Sequence, residues 1–270
     1  QQGMQKETSL RVTNEIYKPL WNPQTRIVLV TGGRGSGKSD AVSLCACDEI
    51  TSFEDWVTLY TRWTLTSAEI SIIPEFRDKI DILGKRDKVK VSGNIVRSTE
   101  TGSTIIFSGI KAASGTQTAR LKSIKGLNKL IIEEAEEFHD EKEFNTLDDS
   151  LRATGVPNTI IIVMNPQDVD HWIWRRWFAK SHRMEVIDGA QIPISTHPDI
   201  THIHTTYLDN KENLPNTYLE LIENLKLANP DAYAHRYLGK WQERKEGVIY
   251  PNWIEGEFDL TLPYGYGLDF

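Results

Sequence analysis

Residues 32–39 read Gly32-Gly33-Arg34-Gly35-Ser36-Gly37-Lys38-Ser39, directly after the short apolar, β-branched run Arg26-Ile-Val-Leu-Val-Thr31. The segment fits G-x-x-x-x-G-K-[ST]. One position matches that pattern by chance about 4 times in 100,000, roughly a 1% accident over a chain this long. The context fits as well, because a buried strand precedes it and a Gly- and Pro-free segment of helical spacing follows from Asp40. Glycines let successive backbone N–H groups turn toward a polyphosphate, and the helix N-terminus behind them adds positive potential. Lys38 is expected to reach the β- and γ-phosphates of ATP, and Ser39 to place its hydroxyl on Mg²⁺. A glycine-rich turn with an incidental lysine is the plainer alternative.

Further apolar runs set the architecture. Strands are expected at Trp56–Thr61, Leu130–Ile132, Thr159–Met164 and, more weakly, Thr201–Tyr207. Helices are expected at Ser67–Lys79 (bent at Pro74), Lys142–Arg152, Trp172–Lys180, Asn216–Ala228 and Asp231–Leu238. Strands separated by helices predict a mainly parallel α/β sheet. Alternation with turn signals between Lys88 and Ile110 predicts a small antiparallel excursion. With 39% hydrophobic and 26% charged residues the chain is neither disordered nor fibrous. No apolar run approaches the ~18 residues of a membrane span, and no charged-then-apolar leader opens the chain. A net charge of −7 argues against a generic nucleic-acid coat, although a local basic stripe is allowed. Cys45 and Cys47 stand two apart in a helix and point in different directions. They read as reduced thiols in a cytoplasmic compartment.

Nucleotide binding alone does not give hydrolysis, which needs a metal-holding acid and a group that orients the attacking water. Leu130-Ile-Ile-Glu133-Glu134 supplies both at the end of a strand: Glu133 for Mg²⁺, through water, and Glu134 for the lytic water. Such strands more often end in Asp-Glu, so Glu133 gives a longer reach. An acidic helix start explains Glu136, Glu137, Asp140, Glu141 and Glu143. It does not explain a carboxylate pair directly after an apolar strand. Asn165 closes a third strand, which in ATPases with a separate catalytic glutamate lies between the P-loop strand and the acidic one. Its amide would then sense the γ-phosphate. The alternative is a turn Asn before Pro166. Together these readings predict a P-loop NTPase of the additional-strand, catalytic-glutamate type.

The segment Lys111–Lys129 carries Lys111, Arg120, Lys122, Lys125 and Lys129 without an acid. A cation here could act as an arginine finger on a neighbouring subunit's γ-phosphate, or meet DNA phosphates, or simply be solvated. Arg34 and Arg62 are the other candidates for transition-state charge. The helix His171-Trp-Ile-Trp-Arg-Arg-Trp-Phe-Ala-Lys180 is read as burying its aromatics and exposing Arg175, Arg176 and Lys180 rather than as a stacking surface for a polynucleotide. His202 and His204 share a strand face with no ligand to complete a metal set. Tyr17 and Trp21 are expected beside adenine.

Several stretches resemble, in order, the large terminase subunits of tailed bacteriophages. Gly32–Ser39 resembles their Walker A motif, and Leu121-Lys-Ser-Ile-Lys-Gly126 before Ile131-Ile-Glu-Glu-Ala-Glu-Glu-Phe138 resembles the approach to Walker B. Asn165-Pro166 resembles the third ATPase motif. Tyr237-Leu-Gly-Lys-Trp241 with Gly247-Val-Ile-Tyr-Pro251 resembles the close of the ATPase region, and Tyr266-Gly-Leu-Asp-Phe270 the first nuclease strand, with Asp269 as metal ligand. The resemblance implies an ATP-driven motor that threads double-stranded DNA into a procapsid in the cytoplasm of an infected bacterial host. It implies a portal protein and a small terminase subunit as partners. It also implies a homo-oligomeric ring on the procapsid, with a monomer allowed in isolation, and no membrane.

The expected organisation is an expression leftover at 1–3, an ATPase domain at 4–240, a linker at 241–263 and the first strand of an RNase H-like nuclease at 264–270. A lone Asp269 cannot hold the two metal ions of such a nuclease, so ATPase activity without DNA cleavage is expected. Among the cations Arg120 is favoured as the finger in trans. A helicase would share the motor parts but separate strands. A small-molecule kinase would leave Glu134 unexplained, and a scaffold without turnover would tolerate Glu134→Ala.

Overall fold

The computed structural model describes residues 14–62, 73–110 and 124–243. Arg120, Lys111, Lys122 and Asp269 therefore lie outside the described residues, as do the expected expression leftover at 1–3, the nuclease strand and most of the expected linker.

The core is an eight-stranded sheet in the order β10-β1-β7-β6-β2-β5-β4-β3. Its strands are β1 (Ile27–Gly32), β2 (Val57–Arg62), β3 (Val89–Ser92), β4 (Ile95–Ser98), β5 (Thr104–Gly109), β6 (Leu127–Ile132), β7 (Thr159–Met164) and β10 (Ile200–Thr205). The six strands from β10 to β5 are parallel. Every residue of β1, β6 and β7 is buried, as expected where helices cover both faces of a sheet. Alternate residues still go to opposite sides. Val28 and Val30 of β1 pack with α1 (Lys38–Ser52) and α2 (Ile73–Ile82). Ile27 and Leu29 pack with α3 (Glu141–Asp148) and α4 (Trp172–Trp177).

The antiparallel excursion is present, and it continues the central sheet. The β3–β4 hairpin pairs antiparallel with β5, which runs parallel to β2. A second ribbon, β8 (His182–Ile187) with β9 (Ala190–Ser195), was not expected. It packs through Ile192 and Ile194 against α5 (Asn216–Ala228) and α6 (Pro230–Leu238), around Tyr207, Tyr233 and Tyr237.

In α4 the rings of Trp172 and Trp177 are buried with the neighbouring Phe178, while Arg175 and Lys180 are exposed. Arg176 lies over Phe144 and Trp177 and bonds Glu141. Trp241 and Gln242, at the start of the expected linker, are packed on the same body. Trp241 is buried against Trp174 and Phe178, and Gln242 N–H donates to Gln167 O at 2.7 Å. Among the described residues no helix is long and apolar enough to cross a membrane.

Candidate active site

The loop between β1 and α1 is fixed from behind. Gly33 N–H donates to Thr205 O and Arg34 N–H to Arg236 O, at 3.1 and 2.9 Å. Tyr17 Oη bonds Ser36 O, and Asn210 Nδ2 donates to Gly35 O. A Cβ on Gly33 would lie 1.9 Å from Tyr237 O, so only glycine lets the loop rest against the end of α6. Gly37 is the N-cap of α1 at φ 84° and has no side-chain cap. The first N–H groups of α1 are thus left for a ligand at a helix end that favours anions. Tyr17 is buried beneath this loop, and Trp21 Nε1–H bonds Asp48 near the far end of α1.

Lys38 is buried, and its ammonium has four oxygens within reach: Gly32 O at 3.0, Gly33 O at 2.8, Ser36 Oγ at 3.1 and Asn165 Oδ1 at 2.9 Å. Burial pulls its pKa down to about 8, against the opposing pull of Glu136 and Glu133. Phosphate oxygens arriving here would replace the loop carbonyls as acceptors and hold the charge.

β6 delivers the acids. Glu133 N–H continues the ladder to Thr61 O, and its side chain is 2% exposed. Oε2 accepts from Arg62 Nε at 3.1 Å, while Oε1 is buried without a hydrogen-bond partner. An unpartnered buried carboxylate oxygen costs free energy, and together with the Ser39 hydroxyl lining the same cleft it is a donor set suited to Mg²⁺. Glu134 follows in the left-handed region at φ 53°, ψ 45°, a conformation that costs a non-glycine residue about 1 kcal/mol or more. It turns the chain at the strand end, and the side chain lines the cleft. Burial raises the Glu134 pKa, opposed by Arg62, whose Nη1 lies 3.5 Å from Oε1.

Strand order supplies the remaining part. β7 lies between β1 and β6, so Asn165 at its tip stands between the P-loop and the carboxylates, where the sequence expected it. One cleft is lined by Arg34, Gly35–Ser39, Glu133, Glu134, Glu136 and Asn165. Arg34 is exposed at its rim. Arg62 is engaged by its own chain's acids, which removes it as a free finger for a neighbour.

Glu136 is the residue that sequence reasoning passed over as part of an acidic helix start. The segment Ala135–Glu137 is a 3-10 turn. That turn brings Glu136 to the tip of β7, where it bonds Asn165, and the run of acids by itself carried no signal of this. The two histidines of β10 are structural: Thr31 Oγ1 lies 2.8 Å from both His202 Nε2 and His204 Nδ1. Among the described residues no cluster of three or more His, Cys, Asp or Glu could hold a metal.

A family model described as phage terminase large subunit matches residues 24–240. The chain belongs to that family. Among the relatives of this terminase chain, the PBSX phage terminase large subunit of Bacillus subtilis (strain 168) is 26% identical over 219 residues, covering 79% of this chain and 49% of the relative. The chain thus spans about half the length of that curated relative. The large terminase of a thermophilic bacteriophage superposes with a TM-score of 0.63 at 16% identity, over 84% of this chain and 53% of that one. The same enzyme has been solved with ADP and with ATP-γ-S. A variant of the Thermus phage P74-26 large terminase ATPase domain gives 0.59 at 18% identity, over 84% of this chain and 93% of that one. At these identities the solved structures establish the shared fold.

Proposed function

We propose that this chain is the ATP-hydrolysing motor part of a DNA-packaging terminase. It would turn ATP into ADP and phosphate and couple that step to movement of double-stranded DNA into a procapsid. The observation that carries the reading is the Lys38–Asn165 contact at 2.9 Å, in a cleft that also holds Glu133 and Glu134. A phosphate-binding lysine, a strand-tip amide and a carboxylate pair meet there, as hydrolysis of a bound triphosphate requires.

Lys38 and the N–H groups at the start of α1 hold the β- and γ-phosphates. Ser39 and Glu133 would hold Mg²⁺, which when bound neutralises charge on the phosphates. Glu134 orients a water molecule and takes its proton as the water oxygen bonds to the γ-phosphorus. The bond to the bridging oxygen breaks, and its electron pair leaves with ADP. Arg34 stands at the rim of its own subunit's cleft. Arg120 is the cation proposed to reach a neighbour's γ-phosphate, which would make the ring on the portal the active form. Portal protein, small terminase subunit and the host cytoplasm complete the assignment. The relative solved with ADP and ATP-γ-S supports the nucleotide, and Glu133 Oε1 supports the metal.

Phosphate release by the wild type, Lys38→Ala, Glu134→Ala and Arg120→Ala over a range of protein concentrations tests the assignment. Lys38→Ala and Glu134→Ala are expected to lose at least 99% of the rate. The wild-type rate per subunit is expected to rise with concentration, and Arg120→Ala to abolish that rise. Turnover by Glu134→Ala at the wild-type rate would remove the motor reading. A concentration-independent rate that Arg120→Ala leaves intact would remove the finger in trans.

A further inference from the structure

Two carboxylates of the cleft have no part in the proposed reaction: Asp40, which pairs with Lys79, and Glu136. Glu136 bonds Asn165 twice: Oε2 accepts from the Asn165 backbone N–H at 3.2 Å and Oε1 from Nδ2 at 3.1 Å. The other end of the same amide, Oδ1, accepts from Lys38 Nζ at 2.9 Å. An ionised carboxylate only accepts and an ammonium only donates. The amide therefore has one permitted orientation. Turned over, it would set its carbonyl oxygen on a carboxylate and its NH₂ on an ammonium, two like contacts in a partly buried setting.

We infer that Glu136 is a positioning residue that fixes the polarity of Asn165, so that the amide presents an acceptor to Lys38 and responds to the γ-phosphate through that lysine. The inference rests on the motor reading, and it reverses the simplest picture of a strand-tip amide that donates to phosphate directly. Asn165 Nδ2, the amide's donor, is committed to Glu136. When Lys38 turns its protons to phosphate, the Oδ1 contact changes along with those to the loop oxygens. Burial raises the Glu136 pKa, opposed by its own backbone N–H, by the two Asn165 bonds and by Lys38. The three groups are thus mutually dependent.

The obvious substitution has a defined flaw. In Glu136→Gln the new amide can accept from the Asn165 backbone N–H or from Nδ2, and in either case its own NH₂ faces a donor. The pair Glu136→Gln with Asn165→Asp removes that clash. The glutamine oxygen takes the backbone N–H, its NH₂ donates to one aspartate oxygen, and the other aspartate oxygen accepts from Lys38.

The experiment measures kcat and KM for ATP, ATP-γ-S affinity and Tm for the wild type, Glu136→Gln, Glu136→Gln/Asn165→Asp, Lys38→Ala and Glu134→Ala in the full chain. Glu136→Gln is expected to lower kcat about tenfold, with KM and ATP-γ-S affinity within about threefold of wild type and Tm nearly unchanged. The double variant is expected to recover kcat at least threefold over Glu136→Gln. A kcat within twofold of wild type in Glu136→Gln overturns the inference. So does a fall in kcat accompanied by an equal rise in KM and a lower Tm, or no recovery in the double variant. If Lys38→Ala and Glu134→Ala turn over normally, the motor reading fails first and takes the inference with it. If those two are inactive while Glu136→Gln is normal, only the positioning role is lost.

Discussion

Around Thr31, the last residue before the loop's first glycine, each proton has a determined place. Ser195 N–H donates to His202 Nδ1, so that ring carries its proton on Nε2 and gives it to Thr31 Oγ1. The Thr31 hydroxyl then donates to His204 Nδ1, and His204 Nε2–H donates to Leu238 O. Both rings are neutral in this chain of bonds. Burial first, and then the neighbouring His204, lower the His202 pKa to about 3. Burial, opposed by the bond to Leu238 O, lowers that of His204 to about 4. Both values lie below the ordinary 6.5, so the unfolded chain takes up protons first as pH falls. Stability is full above about pH 6.5 and declines toward pH 4, by at most about 1.4 kcal/mol per pH unit for each histidine. Urea midpoints between pH 7 and pH 5 check this: a marked fall is expected in the wild type and a shallower one in His202→Gln. At this scale the sequence was legible where a residue type has one use, as with Lys38 and the acids after β6. Arg62 was legible only as one candidate cation among several and Glu136 only as part of an acidic run, because their partners are brought near by strand order.

Between elements, the P-loop helix and the acidic strand are joined by a buried ion pair, Lys129 on β6 with Glu49 on α1. Lys129 is 1% exposed and lies beneath the Trp56 ring. Burial works against its charge, but the Glu49 carboxylate and Cys45 together raise its pKa. Removing one partner of a buried pair strands the other charge, which costs about 3–5 kcal/mol, while an apolar pair of similar volume is close to neutral. Lys129→Met is therefore expected to lower the denaturation midpoint sharply, and Lys129→Met with Glu49→Leu to recover most of it. Equal midpoints for the single and double variants would contradict this. The fully buried strands β1 and β7 were readable because burial on both faces leaves nearly continuous apolar runs, and β6 only over Leu130–Ile132, because Asn128 and Lys129 break its run. The β8–β9 ribbon was not. Its turn signal, Asp188-Gly189 at φ 47° and 81°, was present, but Pro193 interrupts β9 and disguises it as a loop. Only the two-stranded context, with Pro193 opposite Met184, tolerates a missing N–H.

Over the whole molecule, sheet order brings the loop of β1, the acids of β6 and the amide of β7 to one edge, and α6 closes against that edge. Gly33 touches Tyr237, and Gln242 pairs with Gln167, two residues beyond Asn165. Movement of the loop or of the β7 tip therefore bears directly on the segment by which the chain leaves α6. The sequence placed the P-loop and both carboxylates because each follows an apolar strand. It could not place their meeting, which depends on β7 inserting between β1 and β6. That meeting is checked by ATP-γ-S affinity and single-turnover ATP hydrolysis of Glu134→Gln beside the wild type. Affinity within about threefold of wild type, with hydrolysis slowed at least 100-fold, is the expected result. Hydrolysis by Glu134→Gln at the wild-type rate would contradict it.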